Sequence, residues 1–242
     1  MPSILITGAS GGIGRAVAER FLDEGWTVGL MARRGELLEE VAGGRTTAVV
    51  LSGDVSDESS VTEVFERFLA QAGRIDVLFN NAGIFTPAAP IDEIPVADWH
   101  RAVGVNLTGM FLCARAAFGA MRRQAPMGGR IINNGSISAH VPREGSMTYT
   151  ATKHGVTGLT RTLSLDGRPF DIACGQIDIG NARTELLDGI VEKARAAGEE
   201  PPPSMDVGLV ADAVWNMAGL PLEANVQFMT IMATKMPFIG RG

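Results

Sequence analysis

The stretch Ile4-Leu5-Ile6-Thr7-Gly8-Ala9-Ser10-Gly11-Gly12-Ile13-Gly14 decides the reading of this chain. An apolar run of strand character passes without a spacer into a glycine-rich turn, and a segment of helical period, Gly12 to Glu24, follows at once. Glycines at such a junction permit a tight turn, let a ligand approach the backbone and let helix pack closely on strand. A diphosphate fits the amino end of the following helix, where free amides and the helix dipole favour an anion. A loose turn would use the same residues; what favours nucleotide binding is the place of the cluster at the first strand-to-helix junction of an alternating chain.

That alternation runs from one end to the other. Candidate strands are Ser3 to Thr7, Thr27 to Ala32, Thr46 to Leu51, Asp76 to Asn80, Arg130 to Asn134, Phe170 to Ile177 and Val226 to Met232. Between them lie amphipathic stretches: Gly12 to Glu24, Glu36 to Ala42, Val61 to Ala72, Val96 to Arg123, Thr148 to Leu165 and Val207 to Ala218. Strand and helix in turn predict right-handed crossovers and an α/β doubly wound parallel sheet, a Rossmann fold. A chain of 242 residues fits one such domain, residues 1–242. Residues 180–206 break the rhythm, with a helical pattern around Thr184 to Ala197 and then Pro201-Pro202-Pro203. An ordinary surface excursion and a substrate lid both fit, the lid because the segment leaves the carboxyl end of the sixth strand. Met205, Leu186, Leu187, Val141 and His140 are candidate pocket walls, and an apolar lid packing on its own domain is the equal alternative.

Composition narrows the partners. With 45% hydrophobic and 20% charged residues the chain is neither disordered nor fibrous, and a net charge of −6 with scattered basic residues argues against a nucleic-acid or anionic-membrane surface. Cys113 and Cys174, with no leader pattern and no apolar run near eighteen residues, predict a soluble, reduced, cytoplasmic protein without a disulfide framework. Neither a C-x-x-C nor an H-E-x-x-H arrangement occurs, so no metal is expected.

The chain has one tyrosine, Tyr149, and a lysine, Lys153, one helical turn beyond it. Positions i and i+4 share a helix face, so the ammonium lies near the phenol. A free phenol titrates near pH 10, and a neighbouring cation lowers that value toward useful acid–base chemistry. A surface tyrosine beside a helical lysine is the plain alternative. Ser136 ends the fifth strand thirteen residues before Tyr149, where a hydroxyl can hold a substrate oxygen without attacking it. His100, His140 and His154 are scattered, which disfavours a serine-hydrolase triad, although His140 is close enough to Ser136 to line a substrate site.

The spacing Gly8-x3-Gly12-x-Gly14 resembles the TGxxxGxG turn of the short-chain dehydrogenase/reductase family. Asp54-Val55, Asn80-Asn81-Ala82-Gly83, Asn106, Ser136, Tyr149 and Lys153 follow in that family's order across almost the whole chain. The resemblance implies an oxidoreductase that interconverts a ketone and a secondary alcohol of a small molecule by hydride transfer. Tyr149 would be the general acid/base, Ser136 would polarise the carbonyl, Lys153 would also hold the nicotinamide ribose, and Asn106 would anchor a proton-carrying water. Cofactor contacts would come from Gly8, Ser10, Gly12, Ile13, Gly14, Arg33, Asp54, Val55, Asn80, Ala82, Gly83, Tyr149, Lys153 and Thr184. The second strand ends Ala32-Arg33-Arg34 with no acid before Glu36, which favours NADP, with NAD possible. Two solvated arginines at a strand end are the alternative, and Gly11 stands where many NADP-using relatives carry a second basic residue. Two departures stand out: Ile179 replaces the family's usual proline, and the connector Asp166 to Asp171 is short. The carboxyl-terminal segment resembles the branch acting on small 3-hydroxy acids. A homodimer or homotetramer would form through the helices Val96 to Arg123 and Thr148 to Leu165. The rival readings are nucleotide-sugar epimerase or dehydratase chemistry and a cofactor-binding sensor without turnover.

Overall fold

Seven short segments rich in β-branched and apolar residues form one sheet in the computed structural model, which describes residues 1–196 and 198–239 apart from the side chains of Leu186, Ile190, Lys193 and Ala194. The strands are β1 (Ser3–Thr7), β2 (Thr27–Ala32), β3 (Ala48–Ser52), β4 (Val77–Asn80), β5 (Gly129–Asn134), β6 (Ile172–Ile179) and β7 (Phe228–Ile231). Their order is β3-β2-β1-β4-β5-β6-β7, and every pairing is parallel. The order reverses between β1 and β4, which opens a crevice at the carboxyl ends of those two strands.

Helices cover both faces because both are apolar. Alternate residues of a strand point to opposite sides. Ile4 and Ile6 thus join a core with Phe21, Leu30, Phe79 and Val210, while Leu5 joins the opposite core with Met31, Phe68, Leu78 and Cys113. The helices are α1 (Gly12–Asp23), α2 (Gly35–Ala42), α3 (Glu58–Ala72), α4 (Val96–Val103), α5 (Met110–Arg123), α6 (Met147–Gly167), α7 (Glu185–Ala196) and α8 (Val207–Ala218). Asp57 starts α3 by accepting from the amides of Ser59 and Ser60, and its side chain explains a start three residues earlier than periodicity suggests.

Three boundaries differ from expectation for local reasons. The sixth strand begins at Ile172 and continues to Ile179, because Arg168–Phe170 form a single 3-10 turn and Asp171 takes a φ of 52° before the strand opens. The long helix predicted over Val96 to Arg123 is interrupted by a π-helical turn at Gly104–Gly109, which advances the chain by part of a turn and brings Asn106 inside. Val96–Arg123 reaches a mean hydropathy of 1.3 and by length and composition could cross a membrane. Here the apolar side of α5, with Leu112, Cys113, Ala117 and Met121, packs on the sheet. The helical pattern placed over Thr184 to Ala197 becomes α7; Ala197 lies outside the described residues. A bridge between Ala182 and Met205 closes the base of this excursion, and Met205 belongs to the core.

The last turn before β7 hangs on one buried cation. Arg130 of β5 donates from Nη1 to Asn225 Oδ1 at 3.0 Å and from Nη2 to the carbonyls of Leu220, Pro221 and Ala224 at 3.0, 3.2 and 2.9 Å. Its Nε has no partner among the described residues, and burial draws the guanidinium pKa down. Replacing Arg130 by Met leaves those carbonyls without donors. The variant should lose about 3 kcal/mol of unfolding free energy in urea titration.

Candidate active site

The glycine turn between β1 and α1 has the geometry its composition predicts. Gly8 and Gly12 hold φ values of 69° and 53°, where side chains are strained, and a Cβ on Gly14 would fall 2.1 Å from the Gly8 carbonyl oxygen. Gly14 therefore lets α1 lean directly on the end of β1. The first turn of α1 carries no acidic residue, which leaves its amides compatible with an anion. Ser10 and Ile13 are half-buried in the same turn, and a Cβ on Gly12 would lie 3.5 Å from the Thr184 methyl, so the start of the 180–206 excursion overlies the cradle.

Three residues to which the motif reading gave no site role, Thr7, Asn81 and Asn134, hold the crevice together. The Thr7 hydroxyl accepts from the amides of Asn81 and Ala82 at 2.8 and 2.9 Å. Asn81 Nδ2 donates to the Thr7 carbonyl at 2.9 Å, and Asn134 Nδ2 donates to Asn81 Oδ1 at 2.8 Å. The signal in sequence for Thr7 and Asn134 is a polar residue at the last position of a buried parallel strand, where an apolar one would be the default. Gly83 is exposed just beyond Ala82. The Asn80 side chain is turned inward, donating to the Met110 carbonyl at 2.7 Å and to Asn133 Oδ1 at 3.3 Å, because this buried amide must find partners inside the sheet, so the part of Asn80 left to border the crevice is its backbone. Asp54 is tied down by the Ser56 amide and hydroxyl at 2.9 and 2.7 Å, with Val55 buried beneath it. Arg33 is exposed at the end of β2, without an ion pair among the described residues, and its carbonyl accepts from Ser52 Oγ.

Ser136, Tyr149 and Lys153 meet at the carboxyl end of β5. Ser136 is buried; its Oγ accepts from the Ser138 amide at 3.1 Å, and it lies near enough to the Tyr149 phenol to pull that group's pKa down. Lys153 Nζ donates to the Asn134 carbonyl at 2.7 Å and lies 5.5 Å from the centre of the Tyr149 ring. Phe85 stacks on the other side of that ring, with centres 4.1 Å apart and planes 20° apart. The electrostatic expectation for the phenol is overturned. Desolvation pushes Tyr149 up to about 12, against smaller downward pulls from Ser136 and the Arg143 charge, while Asp178 adds to the rise. Burial also lowers the Lys153 ammonium to about 8, opposed by Asp178. Removal from water thus outweighs the pulls of Ser136 and Arg143 on the phenol. Asn106 clamps the loop after β4: its Oδ1 accepts from the Ile84 amide at 2.7 Å and its Nδ2 donates to the Ile84 carbonyl at 2.9 Å.

β6 contributes a group that the motifs omit. Asp178 is fully buried and accepts from the Ser136 amide at 2.8 Å and from Gln176 Nε2 at 2.7 Å. The other carboxylate oxygen meets His140 Nε2 at 2.7 Å. The pair Gln176 and Asp178, two residues apart in a strand whose other positions are apolar or small, was the visible signal. Of the candidate pocket walls, Leu187 and Met205 are buried and Val141 is half-buried. The Leu186 side chain lies outside the described residues. The turn Pro142–Met147, facing Ala89, Pro90 and Ile91, borders an open cleft of about 280 Å³.

The sequence profile of the short chain dehydrogenase family matches residues 2–195. This chain belongs to that family. The dehydrogenase is 32% identical over 240 residues to sulfoacetaldehyde reductase 2 of Chromohalobacter salexigens, covering 96% of this chain and 94% of the relative. Its fold superposes on a closed form of serine dehydrogenase complexed with NADP+ at a TM-score of 0.90, with 27% identity and coverage of 99% and 98%. The 3-ketoacyl-(acyl-carrier-protein) reductase of Brucella melitensis complexed with NADH gives a TM-score of 0.87, with 26% identity and 98% of each chain covered. The short-chain dehydrogenase is thus an NAD(P)-dependent oxidoreductase acting between hydroxyl and carbonyl groups, and the readings as a sensor or a nucleotide-sugar epimerase give way. Its glycine cradle, with no room for a side chain at Gly14 and no acid at the head of α1, suits a dinucleotide diphosphate. Gly14→Ala should weaken coenzyme binding by about tenfold or more, read by quenching of protein fluorescence on titration with NADPH.

Proposed function

We propose that the protein is an NADP-dependent reductase of a small ketone or aldehyde, in equilibrium with the corresponding alcohol, that uses Tyr149 as its proton donor. The observation that carries the reading is the gathering of Ser136, Tyr149 and Lys153, with the Lys153 ammonium 5.5 Å from the centre of the Tyr149 ring and anchored at 2.7 Å on the Asn134 carbonyl, at the crevice headed by the glycine turn. The coenzyme supplies or takes the hydride when bound; the chain's own groups handle the proton and the geometry. Ser136 holds the carbonyl oxygen beside the phenol. Tyr149, kept neutral by its dry surroundings, delivers a proton as the oxygen gains charge, and receives it back in the oxidative direction. Lys153, anchored on the Asn134 carbonyl, carries the charge that steadies the transient phenolate and can hold the nicotinamide ribose. Gly8, Ser10, Gly12, Ile13 and Gly14 would cradle the diphosphate, with Thr184 closing from the other side. Asp54, Val55, Ala82 and Gly83 would border the remainder of the coenzyme.

Arg33 supports the choice of NADP. It is exposed at the strand end where a ribose 2′-phosphate would lie, and no acid in Ala32-Arg33-Arg34 would repel it. Residues 180–206 act in this reading as a lid whose base is fixed by the Ala182–Met205 bridge. Exposed Trp99 and Phe111, on the Val96–Arg123 run, and Met147 at the start of α6 fit an interface between copies of the chain, giving a dimer or tetramer.

Two measurements address this proposal. Tyr149→Phe should bind NADPH as the parent does and lose about a hundredfold or more in kcat for reduction; turnover at the parent's rate would reject the proton-donor role. Arg33→Ala should raise the KM for NADPH about tenfold and leave that for NADH unchanged in steady-state assays over a panel of small ketones, keto acids and aldehydes.

A further inference from the structure

A line of polar side chains crosses the buried middle of the sheet and ends beside the phenol. Asn80 donates to Asn133, Asn133 Nδ2 donates to Thr160 Oγ1 at 3.0 Å, and Thr160 donates to Gln176 Oε1 at 3.0 Å. Gln176 Nε2 then donates to Asp178 Oδ1 and to Thr157 Oγ1, at 2.7 and 3.1 Å. Buried polar side chains at this depth are costly unless each finds a partner, so their concentration here needs a reason. Most of the line is structural bonding between α6 and the sheet. Its last member differs, because Asp178 reaches the catalytic turn instead of another interior group.

We propose that Asp178 is a positioning residue for the reaction, fixing the turn that carries Ser136 through the Ser136 amide and coupling that turn to His140. The inference rests on the reading of Ser136 and Tyr149 given above. Three observations carry it. The contact with the Ser136 amide is a 2.8 Å bond from a residue with no exposed surface. Room for the carboxylate is made by Gly135, where a Cβ would fall 2.1 Å from Asp178 Oδ1, so any other residue before Ser136 would displace the acid. The outer oxygen is covered by His140, whose side chain is 41% exposed while that of Asp178 is 1% exposed. A carboxylate accepts only, so His140 donates through Nε2 and its Nδ1 is left without a partner among the described residues. The same carboxylate acts on the reacting groups at longer range, raising both the phenol of Tyr149 and the ammonium of Lys153. The charged and titratable groups around the phenol are then Lys153 from α6, Asp178 from β6, and His140 and Arg143 from the turn between β5 and α6.

The test compares wild type with Asp178→Asn, His140→Gln, the double variant and Tyr149→Phe, on a carbonyl substrate that the wild type reduces. Rates are expressed per coenzyme-binding site. Asp178→Asn should keep NADPH affinity within about twofold and lose about tenfold or more in kcat. Its alkaline limb in the reductive pH–rate profile, set by Lys153 near 8, should move to lower pH, since removing the negative charge makes the ammonium easier to deprotonate. The double variant should be no slower than Asp178→Asn, because the two residues act as one unit. A kcat within about twofold of wild type with an unmoved limb, or additive losses in the double variant, would overturn the proposal while Tyr149→Phe remains inactive. Turnover retained by Tyr149→Phe sinks the underlying reading instead. Should Asp178→Asn fail to fold, His140→Gln decides, since that ring is half-exposed: an unchanged kcat/KM counts against the coupling, and a loss with NADPH affinity intact supports it.

Discussion

Everything at the crevice depends on the Thr7 hydroxyl. β1 and β4 lie side by side where the strand order reverses, and the amides of Asn81 and Ala82 come just past the end of β4. Thr7 accepts from both, and Asn81 returns a hydrogen bond to the Thr7 carbonyl. Fixing the strand ends in this way allows the Gly8 carbonyl to sit against Gly14 and sets the angle at which α1 leaves the sheet. A residue with a longer side chain at position 7 would have to find space in a site with no exposed surface. Nucleotide site and fold are therefore consequences of one local constraint.

Much of the architecture was legible in the residues. The seven strands and the parallel order follow from apolar runs alternating with helical periods, since strands buried on both faces have no polar side to confuse the pattern. The glycine turn was readable because Gly8, Gly12 and Gly14 each answer a steric demand, the first two through positive φ and the third through the Gly8 carbonyl pressed against it. Less visible were features that depend on where distant residues meet. The π-helical turn inside Val96–Arg123 leaves no mark in periodicity, because it shifts the helix by a fraction of a turn within a stretch that is apolar on many sides. The desolvation of the phenol was equally hidden. The i, i+4 spacing announced a cation near Tyr149, while the burial that raises its pKa comes from the surrounding fold, with Phe85 stacked on the ring from the loop after β4.

Asp178 shows a different kind of illegibility. Its place in a buried strand should have been an objection to the strand, and the run from Phe170 was indeed expected to stop at Ile177. The strand continues because Gln176, Ser136 and His140 supply donors for the carboxylate, so tertiary partners, not local preference, set where β6 ends. Ile179 occupies the position of the family's usual proline and keeps its pairing with Ile231 of β7. Ladder bonding in place of proline stiffness thus carries the chain past the site, and Gly180 continues the bonding through its amide to the Ile231 carbonyl at 2.8 Å.

The extra residue wound into the π-helical turn works as a phase shifter between two lengths of helix. Upstream, α4 buries little, with Ala102 alone wholly enclosed; downstream, α5 is committed to the sheet along its length. Because the offset sits between them, α4 packs toward α6 and α5 toward the sheet, while Asn106 stays on the loop it holds. One locally underwound turn thereby lets a single run of helix serve two different surfaces while it keeps Asn106 on the loop after β4.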